Sequence, residues 1–382
     1  MKAMAIIGSA FGDEGKGRMT HVFASQAKGP SVVVRYNGGP QAGHTVVRED
    51  GVGHVFHHFG SGTLDGSATY LSRFFICNPL LWIGENKDLG QYVEPKFYVD
   101  PASPITTPYD MLINREVERA RGSQRHGSCG YGVNETVVRL CEGKFPLFAW
   151  NMECKDFAEK VRAIRDVYLP NRLASLGLVP SDNLRQACAS SLLFDEFMDS
   201  AAAFHTAARP MLASELERWN TVIFEGSQGL CLDETFRFFP HVTRSRTGLP
   251  NIVTICESAG ISELDVVYVT RAYTTRHGHG PLPTEDASLS YKDATNVENE
   301  WQGSLRFGCL DIDLIGEAVR GDRKKRGNLK VKFSLAITCM DQVGDNVAIH
   351  HKGVICRVSR DELARIAAKA CGMKQVYLSW KA

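Results

Sequence analysis

Short apolar runs, glycine-rich turns and amphipathic stretches follow one another at the start of the chain. The first apolar run, AMAII, leads into the glycine-rich segment GSAFGDEGKG. Met19, Val22 and Phe23 then recur at helical spacing, which predicts a strand, a loop and a helix in that order. Further buried strands are predicted at residues 31–35 (SVVVR) and 266–270 (VVYVT). Strands that alternate with helices predict an α/β fold with a mainly parallel central sheet and flanking helices.

The middle of the chain, from about residue 151 to residue 220, has a different pattern. Strand signals are missing there, and Ala, Leu, Glu and Arg dominate runs such as RDVYLPNRLASLGL. This pattern predicts a helical insertion. Because no low-complexity linker or internal repeat is visible, we expect residues 1–382 to form one elaborated domain.

Composition and charge narrow the possible partners. With 44 basic and 43 acidic side chains, the net charge of +1 gives no general attraction to nucleic acid or to an anionic membrane. The 11 cysteines form no CxxC pair, which argues against a zinc site or a disulfide scaffold. No run reaches 18 apolar residues, and the first residues lack a signal-peptide pattern. We therefore expect a cytoplasmic protein that holds anionic ligands locally.

The glycine-rich segment after the first predicted strand has the features of a phosphate-binding loop. Backbone NH groups of such a turn, at the start of a helix, cradle phosphate oxygens, and Lys16 would add a positive charge. The segment is not a Walker A motif, because Ala10 replaces its first glycine and Gly17-Arg18 follows the lysine. The alternative is a turn whose glycines only permit positive φ, although the segment has more glycines than such a turn needs.

Six runs of residues carry a resemblance to one known family. They are FGDEGKG at residues 11–17, RYNGGPQAGHT at 35–45, VFHHFGSG at 55–62, FEGSQG at 224–229, FPHVT at 239–243 and RAYTTRHGHGPLPTE at 271–285. In this order they resemble the adenylosuccinate synthetase superfamily. The resemblance implies a P-loop-NTPase-like fold and a ligase that uses a nucleoside triphosphate and Mg²⁺. Such a ligase phosphorylates the 6-oxo group of a purine nucleoside monophosphate and condenses it with L-aspartate.

The resemblance also assigns catalytic and triphosphate-binding residues. Asp13 matches the family carboxylate that takes the purine N1 proton, and His44 matches the histidine that stabilises the transferring phosphoryl group. The implied Mg²⁺ ligands are Asp13 and the carbonyl of Gly43. The implied triphosphate contacts are Gly12, Glu14, Gly15, Lys16, Gly17, Gly43, Thr45 and Asp341.

The monophosphate substrate has its own set of implied contacts. They are Asn37, Ser128, Cys129, Arg139, Gln228 and Thr243. Ser128 and Cys129 stand in SCGYG, which resembles a TTGRG turn of the family. Arg139 is the counterpart of an arginine that reaches the substrate phosphate of the partner subunit, so the resemblance implies a homodimer with shared sites.

The amine-donor loop departs most from the family. The family reads approximately TTGRRRRTGWLD, whereas this chain has WQGSLRFGCLD at residues 301–311. Gly303 and Leu305 therefore replace arginines that contact the ribose and the aspartate carboxylates. The remaining donor contacts are expected from Thr275, Arg276 and Arg306.

Two alternatives to IMP and aspartate stay open. Loss of a ribose-directed arginine would suit a deoxynucleotide, and phage enzymes of this superfamily make succino-2-aminodeoxyadenylate from dGMP. That branch tends to replace the loop aspartate with a smaller residue, however, whereas Asp13 is kept here. The second alternative is a nucleotide-binding paralogue without turnover.

The base of the triphosphate is a further open choice. The family recognises guanine through Lys-x-Asp and a C-terminal Ser-Thr-Gly-Pro, but this chain has Cys339-Met340-Asp341 and ends in LSWKA. GTP is expected from the resemblance, with ATP as the alternative.

Overall fold

A computed structural model describes residues 1–122, 125–293 and 303–380. The strands are β1 (Lys2–Gly8), β2 (Ser31–Arg35), β3 (His44–Val47), β4 (Gly53–Phe56), β5 (Ala68–Leu71), β6 (Phe97–Val99), β7 (Arg209–Pro210), β8 (Thr221–Gly229), β9 (Glu263–Arg271), β10 (Tyr273–Arg276), β11 (Arg306–Asp311), β12 (Lys330–Thr338), β13 (Val347–His351), β14 (Val354–Val358) and β15 (Gln375–Leu378). The helices are α1 (Lys16–Ser25), α2 (Pro79–Leu89), α3 (Pro108–Arg121), α4 (Val133–Cys141), α5 (Phe157–Ala163), α6 (Leu169–Ser175), α7 (Asp182–Ala189), α8 (Leu192–Ala207), α9 (Leu249–Ser258), α10 (Ile312–Arg323) and α11 (Arg360–Cys371).

A nine-stranded sheet forms the centre of the molecule. Its order is β15-β12-β9-β1-β8-β2-β5-β6-β7, and all of its neighbouring strands are parallel. The predicted mainly parallel α/β fold is therefore confirmed. Strands β10, β11, β13 and β14 form a smaller mixed sheet, and β3 pairs with β4 as an antiparallel hairpin.

The central strands are buried on both faces, as parallel strands between helices usually are. Successive residues of β1 enter different apolar clusters, with Ile6 on one face and Ile7 on the other. The cluster of Ile6 also contains Met19 of α1, so the first helix covers that face of the sheet. Packing of α1 on the sheet brings the loop between β1 and α1 to the carboxyl edge of the sheet.

Helices α5 to α8 occupy most of the segment predicted as a helical insertion. They share a second apolar core with α2 and α3, in which Trp82 contacts the rings of Phe97 and Phe204. A π-helical turn at Ile164–Tyr168 joins α5 to α6. In the described parts of the chain, no helix combines the length and the apolar character needed to cross a membrane.

A buried carboxylate ties α9 and β9 to α10. Asp322 accepts hydrogen bonds from the Leu249 amide at 2.9 Å and from the Tyr268 hydroxyl at 2.9 Å. No cation pairs with it among the described residues, and burial raises the pKa of Asp322 to about 6. The protonated form of this carboxyl is thus favoured by folding.

Candidate active site

A cavity of about 1820 Å³ opens at the carboxyl ends of β1, β8 and β9. Typical sites for one small ligand measure about 300–1000 Å³, so this one has room for several. The predicted residues that line it are Gly12, Asp13, Gly15, Lys16, Gly17, Gly43, His44, Thr45, Ser128, Cys129, Gln228, Thr243 and Arg276. The other predicted residues, all described, lie outside this lining, and they are Glu14, Asn37, Arg139, Thr275, Arg306 and Asp341.

The phosphate loop is held together by the side chain of Glu14. One carboxylate oxygen accepts hydrogen bonds from the amides of Ala10 at 3.0 Å and Gly12 at 2.8 Å. The other lies 2.8 Å from Lys16 Nζ. Burial opposes the charged form, but Lys16 and the backbone donors outweigh it and lower the pKa of Glu14. Glu14 therefore shapes the loop and places Lys16, and its carboxylate does not line the cavity.

Asp13 lies on the same loop with its carboxylate toward the cavity. Its backbone carbonyl accepts a hydrogen bond from Arg271 Nε, and His277 Nε2 lies 3.9 Å from its Oδ1. Burial raises the pKa of Asp13, and the electrostatic interactions of its carboxylate with His277 and Arg271 oppose that rise. A carboxylate with a raised pKa is suited to accept a proton from a substrate.

His44 faces the cavity from the start of β3 and is paired with a buried carboxylate. His44 Nδ1 lies 2.8 Å from Glu225 Oε1, and Ser61 donates to Glu225 through both its amide and its hydroxyl. Burial lowers the pKa of His44 to about 4, although the charge of Glu225 and its hydrogen bond to the ring favour a higher pKa. Burial also disfavours the charged form of Glu225. The interactions of its carboxylate with His44 and Arg35 outweigh the effect of burial and lower the pKa of Glu225 to about 2. The resting pair is neutral imidazole beside carboxylate.

Glu225 and Ser61 were missed as site residues in the sequence. Both stand in runs that carry the family resemblance, FEGSQG and VFHHFGSG, but neither run shows which side chain Glu225 contacts. A Glu directly after the apolar residues 222–224 (VIF) was the available signal, because a buried carboxylate requires a partner.

The close packing around Gly17 explains why glycine follows Lys16, where a Walker A sequence has Ser or Thr. A Cβ added at Gly17 would lie 2.7 Å from His44 Cβ and 3.0 Å from Ser61 Oγ. Any side chain at this position would push His44 away from the phosphate loop. Glycine after the lysine thus allows the loop and the histidine to meet.

Asn37 fixes a turn at the end of β8. Its side chain accepts from the Ser227 amide at 2.8 Å and donates to the Ser227 carbonyl at 3.0 Å. The next residue, Gln228, has a φ of 64° and lines the cavity. Both polar atoms of the Asn37 amide are therefore used to hold the backbone that presents Gln228.

Arg139 makes extensive contacts within its own subunit. Its guanidinium is buried and pairs with Asp110 through Nε at 2.9 Å and Nη2 at 3.0 Å. The remaining donors bind the carbonyls of Phe145 and Ile105 at 2.6 and 2.8 Å. These contacts engage Nε and both terminal nitrogens of the guanidinium within the subunit, and the contact with a partner subunit's phosphate stays a prediction. Arg139 anchors α4 to the start of α3.

The predicted donor residues occupy different environments. Arg276 lines the cavity with its guanidinium 4.6 Å over the ring of Phe11. Arg306 lies opposite Arg276 on the neighbouring strand β11, and its guanidinium binds Glu285 at 2.7 Å. Thr275 is buried within β10. Of the predicted donor loop, residues 301 and 302 lie outside the described residues, as do their neighbours from residue 294.

Asp341 stands apart from the cavity on the short turn Met340–Gln342, where it is exposed. The turn is joined to the end of the described chain, since the Met340 amide donates to the Ser379 carbonyl at 3.1 Å. Ser379 Oγ accepts from Arg18 Nε at 3.3 Å, and Arg18 does line the cavity. Asp341 itself does not line the cavity, and its contact with the triphosphate base stays a prediction.

The phosphate loop and the acid–base groups beside it are those of an enzyme that acts on nucleotides. A family model for adenylosuccinate synthetase matches residues 5–332, and the chain belongs to that family. Similar proteins include adenylosuccinate synthetases of Clostridium perfringens, 31% identical over 339 residues (84% of this chain, 75% of the relative), and Mycobacterium marinum, 31% identical over 326 residues (82% and 72%). The protein is therefore a carbon–nitrogen ligase of the family that condenses IMP with aspartate, which confirms the predicted enzyme class.

Two solved structures share the fold. A fully ligated adenylosuccinate synthetase from Plasmodium falciparum superposes with a TM-score of 0.73 at 17% identity, covering 99% of this chain and 97% of that one. The succinoaminodeoxyadenylate synthetase of cyanophage S-2L, bound to dGMP and dATP, gives a TM-score of 0.64 at 16% identity over 99% and 92%. At these identities the likeness shows a common fold.

Proposed function

We propose that this protein phosphorylates the 6-oxo group of IMP and lets aspartate displace the phosphate, with Asp13 and His44 as catalytic residues. The observation that carries the proposal is the presence of both side chains in one cavity, one with a raised pKa and one with a free ring nitrogen. A purine oxygen leaves poorly, so phosphorylation must come before displacement by an amine.

Asp13 is the base in this scheme. Removal of the N1 proton of the purine makes the 6-oxygen nucleophilic, and a carboxylate with a raised pKa shares that proton more readily. Arg271 fixes the loop by binding the Asp13 carbonyl, which leaves the carboxylate directed toward the substrate.

His44 donates a proton through Nε2, which is buried and has no hydrogen-bond partner among the described residues. In the resting enzyme the ring is neutral and its Nδ1 faces Glu225. An incoming phosphoryl group adds negative charge beside Nε2, and together with Glu225 it favours uptake of a proton from solvent to give the doubly protonated ring. The imidazolium then donates to the phosphoryl oxygens and to the leaving group.

Lys16 and the amides around it would bind the β and γ phosphates of the triphosphate. The residues near them fit Mg²⁺, because Asp13 offers one carboxylate and Gly43, an exposed residue on the cavity wall, offers its backbone carbonyl. No group of three or more acidic, His or Cys side chains that could hold a metal occurs in the described ranges. Mg²⁺ is usually held by one or two carboxylates and the substrate phosphates, and it would supply charge neutralisation there.

A second candidate substrate is dGMP. The observation that favours it is the absence of arginine at Gly303 and Leu305, which removes a contact to the ribose. The cyanophage structure with the same fold holds dGMP. The presence of Asp13 favours IMP, because the phage branch tends to carry a smaller residue there.

Mass spectrometry can decide between them. Purified protein is incubated with aspartate, Mg²⁺, GTP or ATP, and one of IMP, dIMP, GMP or dGMP. A succinyl adduct of IMP with release of phosphate supports the proposal, and an adduct of dGMP alone supports the phage-type reaction. If none of the four yields an adduct, the aspartate assignment is refuted; nucleotide binding without phosphate release would indicate a paralogue without turnover.

The remaining expectations are a homodimer, GTP as the triphosphate and a cytoplasmic location. All 11 cysteines lie among the described residues and are free, which fits a reducing compartment. Light scattering of the purified protein tests the dimer, and relative rates with GTP and ATP test the triphosphate.

A further inference from the structure

Three imidazoles and one guanidinium stand together on the cavity wall. They belong to His126, His241, His279 and Arg276, and we call these four residues the cationic wall. The rings of His126 and His241 have centroids 5.3 Å apart. Arg276 Nη2 donates to the His241 carbonyl at 2.7 Å, so the wall draws on three separate loops that contact one another.

The loops of the cationic wall pack closely enough to hold its shape. A Cβ added at Gly127, where φ is 77°, would lie 2.6 Å from Gly278 Cα. The loop that carries His126 therefore rests directly on the backbone of the loop that carries His279. Close backbone contact of this kind favours a site that exists before its ligand binds.

The charge of Arg276 is not compensated by a carboxylate in the described parts of the chain. Its guanidinium donates to the carbonyls of Pro281 at 3.0 Å and His241 at 2.7 Å. Its Nε and the Nδ1 of His241 are buried without a hydrogen-bond partner among described residues. Burial and the charge of Arg306 lower the pKa of Arg276 to about 10.

The carboxylates close to the cationic wall are already paired with other cations. Glu118, which faces His126, binds Arg121 at 2.6 Å. Glu285 binds Arg306 at 2.7 Å. Burial lowers the pKa of His126 and of His241, so the fixed positive charge of the wall is that of Arg276, and the imidazoles add hydrogen-bonding groups beside it. A partly buried guanidinium without its own counter-ion favours an anionic ligand.

The position of the wall indicates which anion it takes. Arg276 of β10 lies directly opposite Arg306 of β11. Arg306 follows Leu305, and Gly303 stands two residues before Leu305; at these two positions the family has arginines that contact the ribose and the aspartate carboxylates. We infer that the cationic wall binds a carboxylate of the amine donor and takes over the aspartate contact that is lost with these arginines. This inference rests on the proposed reaction with aspartate.

Steady-state kinetics of three variants test the inference. His241→Gln and His279→Asn each remove one chargeable ring, and His205→Gln removes an exposed histidine at the end of α8 as a matched control. Loss of one hydrogen bond to the donor carboxylate should raise the KM for aspartate about tenfold in both wall variants. The KM values for the monophosphate and the triphosphate should stay within about twofold, and the control should match the parent protein.

A gain-of-contact variant separates binding from a general loss of structure. Leu305→Arg, added to His241→Gln, restores a cation at the position of the family arginine and should bring the aspartate KM back toward the parent value.

Two results would overturn the inference while leaving the proposed reaction intact. One is an unchanged aspartate KM in both wall variants. The other is a rise confined to the monophosphate KM, which would show that the wall binds a phosphate. Absence of any succinyl product from the parent protein would instead refute the proposed reaction, and the inference with it.

Discussion

Replacement of Glu225 by glutamine isolates the negative charge behind His44. The variant keeps the size of the side chain and an oxygen that can accept from Ser61, but it removes the charge 2.8 Å from His44 Nδ1. Two unit charges about 4 Å apart attract by about 4 kcal/mol at an effective dielectric constant of 20. Because 1.36 kcal/mol corresponds to one pKa unit, the imidazolium would become harder to form by about two to three units.

We therefore expect kcat of Glu225→Gln to fall by about 10²- to 10³-fold, while KM for both nucleotides changes little. The assay is continuous phosphate release at saturating substrates. Ser61→Ala is the matched control, since it removes a hydroxyl donor to the same carboxylate and keeps its charge; its kcat should fall less than about tenfold.

Thermal unfolding must accompany these rates, because Glu225 also lies 4.0 Å from the buried guanidinium of Arg35. If the Tm of the variant is lower but the variant is still folded at the assay temperature, the kinetic comparison stays valid. The reasoning would be refuted by a folded Glu225→Gln protein whose kcat stays within about threefold of the parent value from pH 6 to pH 9.

Four further outcomes follow from the structure. Asp13→Asn should lower kcat by about 10²-fold or more with a modest change in nucleotide affinity by calorimetry, and a near-normal rate would exclude it as the base. Gly17→Ala should reduce kcat by at least about tenfold, because its Cβ would displace the catalytic histidine; a crystal structure of the variant would show the shift. Arg139→Met should cost about 3–5 kcal/mol in urea unfolding, since it leaves the Asp110 carboxylate buried and unpaired. Because the pKa of Asp322 is raised from 3.8 to about 6 in the folded protein, its contribution to stability should be present below about pH 3.8 and should be lost, by about 3 kcal/mol in all, as the pH rises through 6. Asp322→Asn should remove that decline, which denaturant titrations at several pH values can measure.

The sequence by itself determined the local elements and their order. The apolar run at Ser31–Arg35 matches β2 at both ends, and the run predicted at residues 266–270 lies within β9. A continuous apolar stretch between two glycine-rich turns can form little else than a buried strand, which is why these predictions needed no tertiary information. The phosphate loop was likewise visible, since its chemistry depends on backbone groups of adjacent residues.

The tertiary structure alone decided which side chains meet. Glu225 is 181 positions from His44 in sequence, and the two meet because β2 and β8 are neighbours in the sheet and His44 follows closely after β2. Arg139 matches a family motif in sequence, but its guanidinium pairs with Asp110. The side-chain amide of Asn37 forms hydrogen bonds with the backbone of Ser227. The sequence shows which residue types occur and at what spacing. The burial of a side chain and the partner that it binds depend on contacts between distant segments. For a charged or polar side chain, those contacts determine whether it binds a ligand or supports the chain.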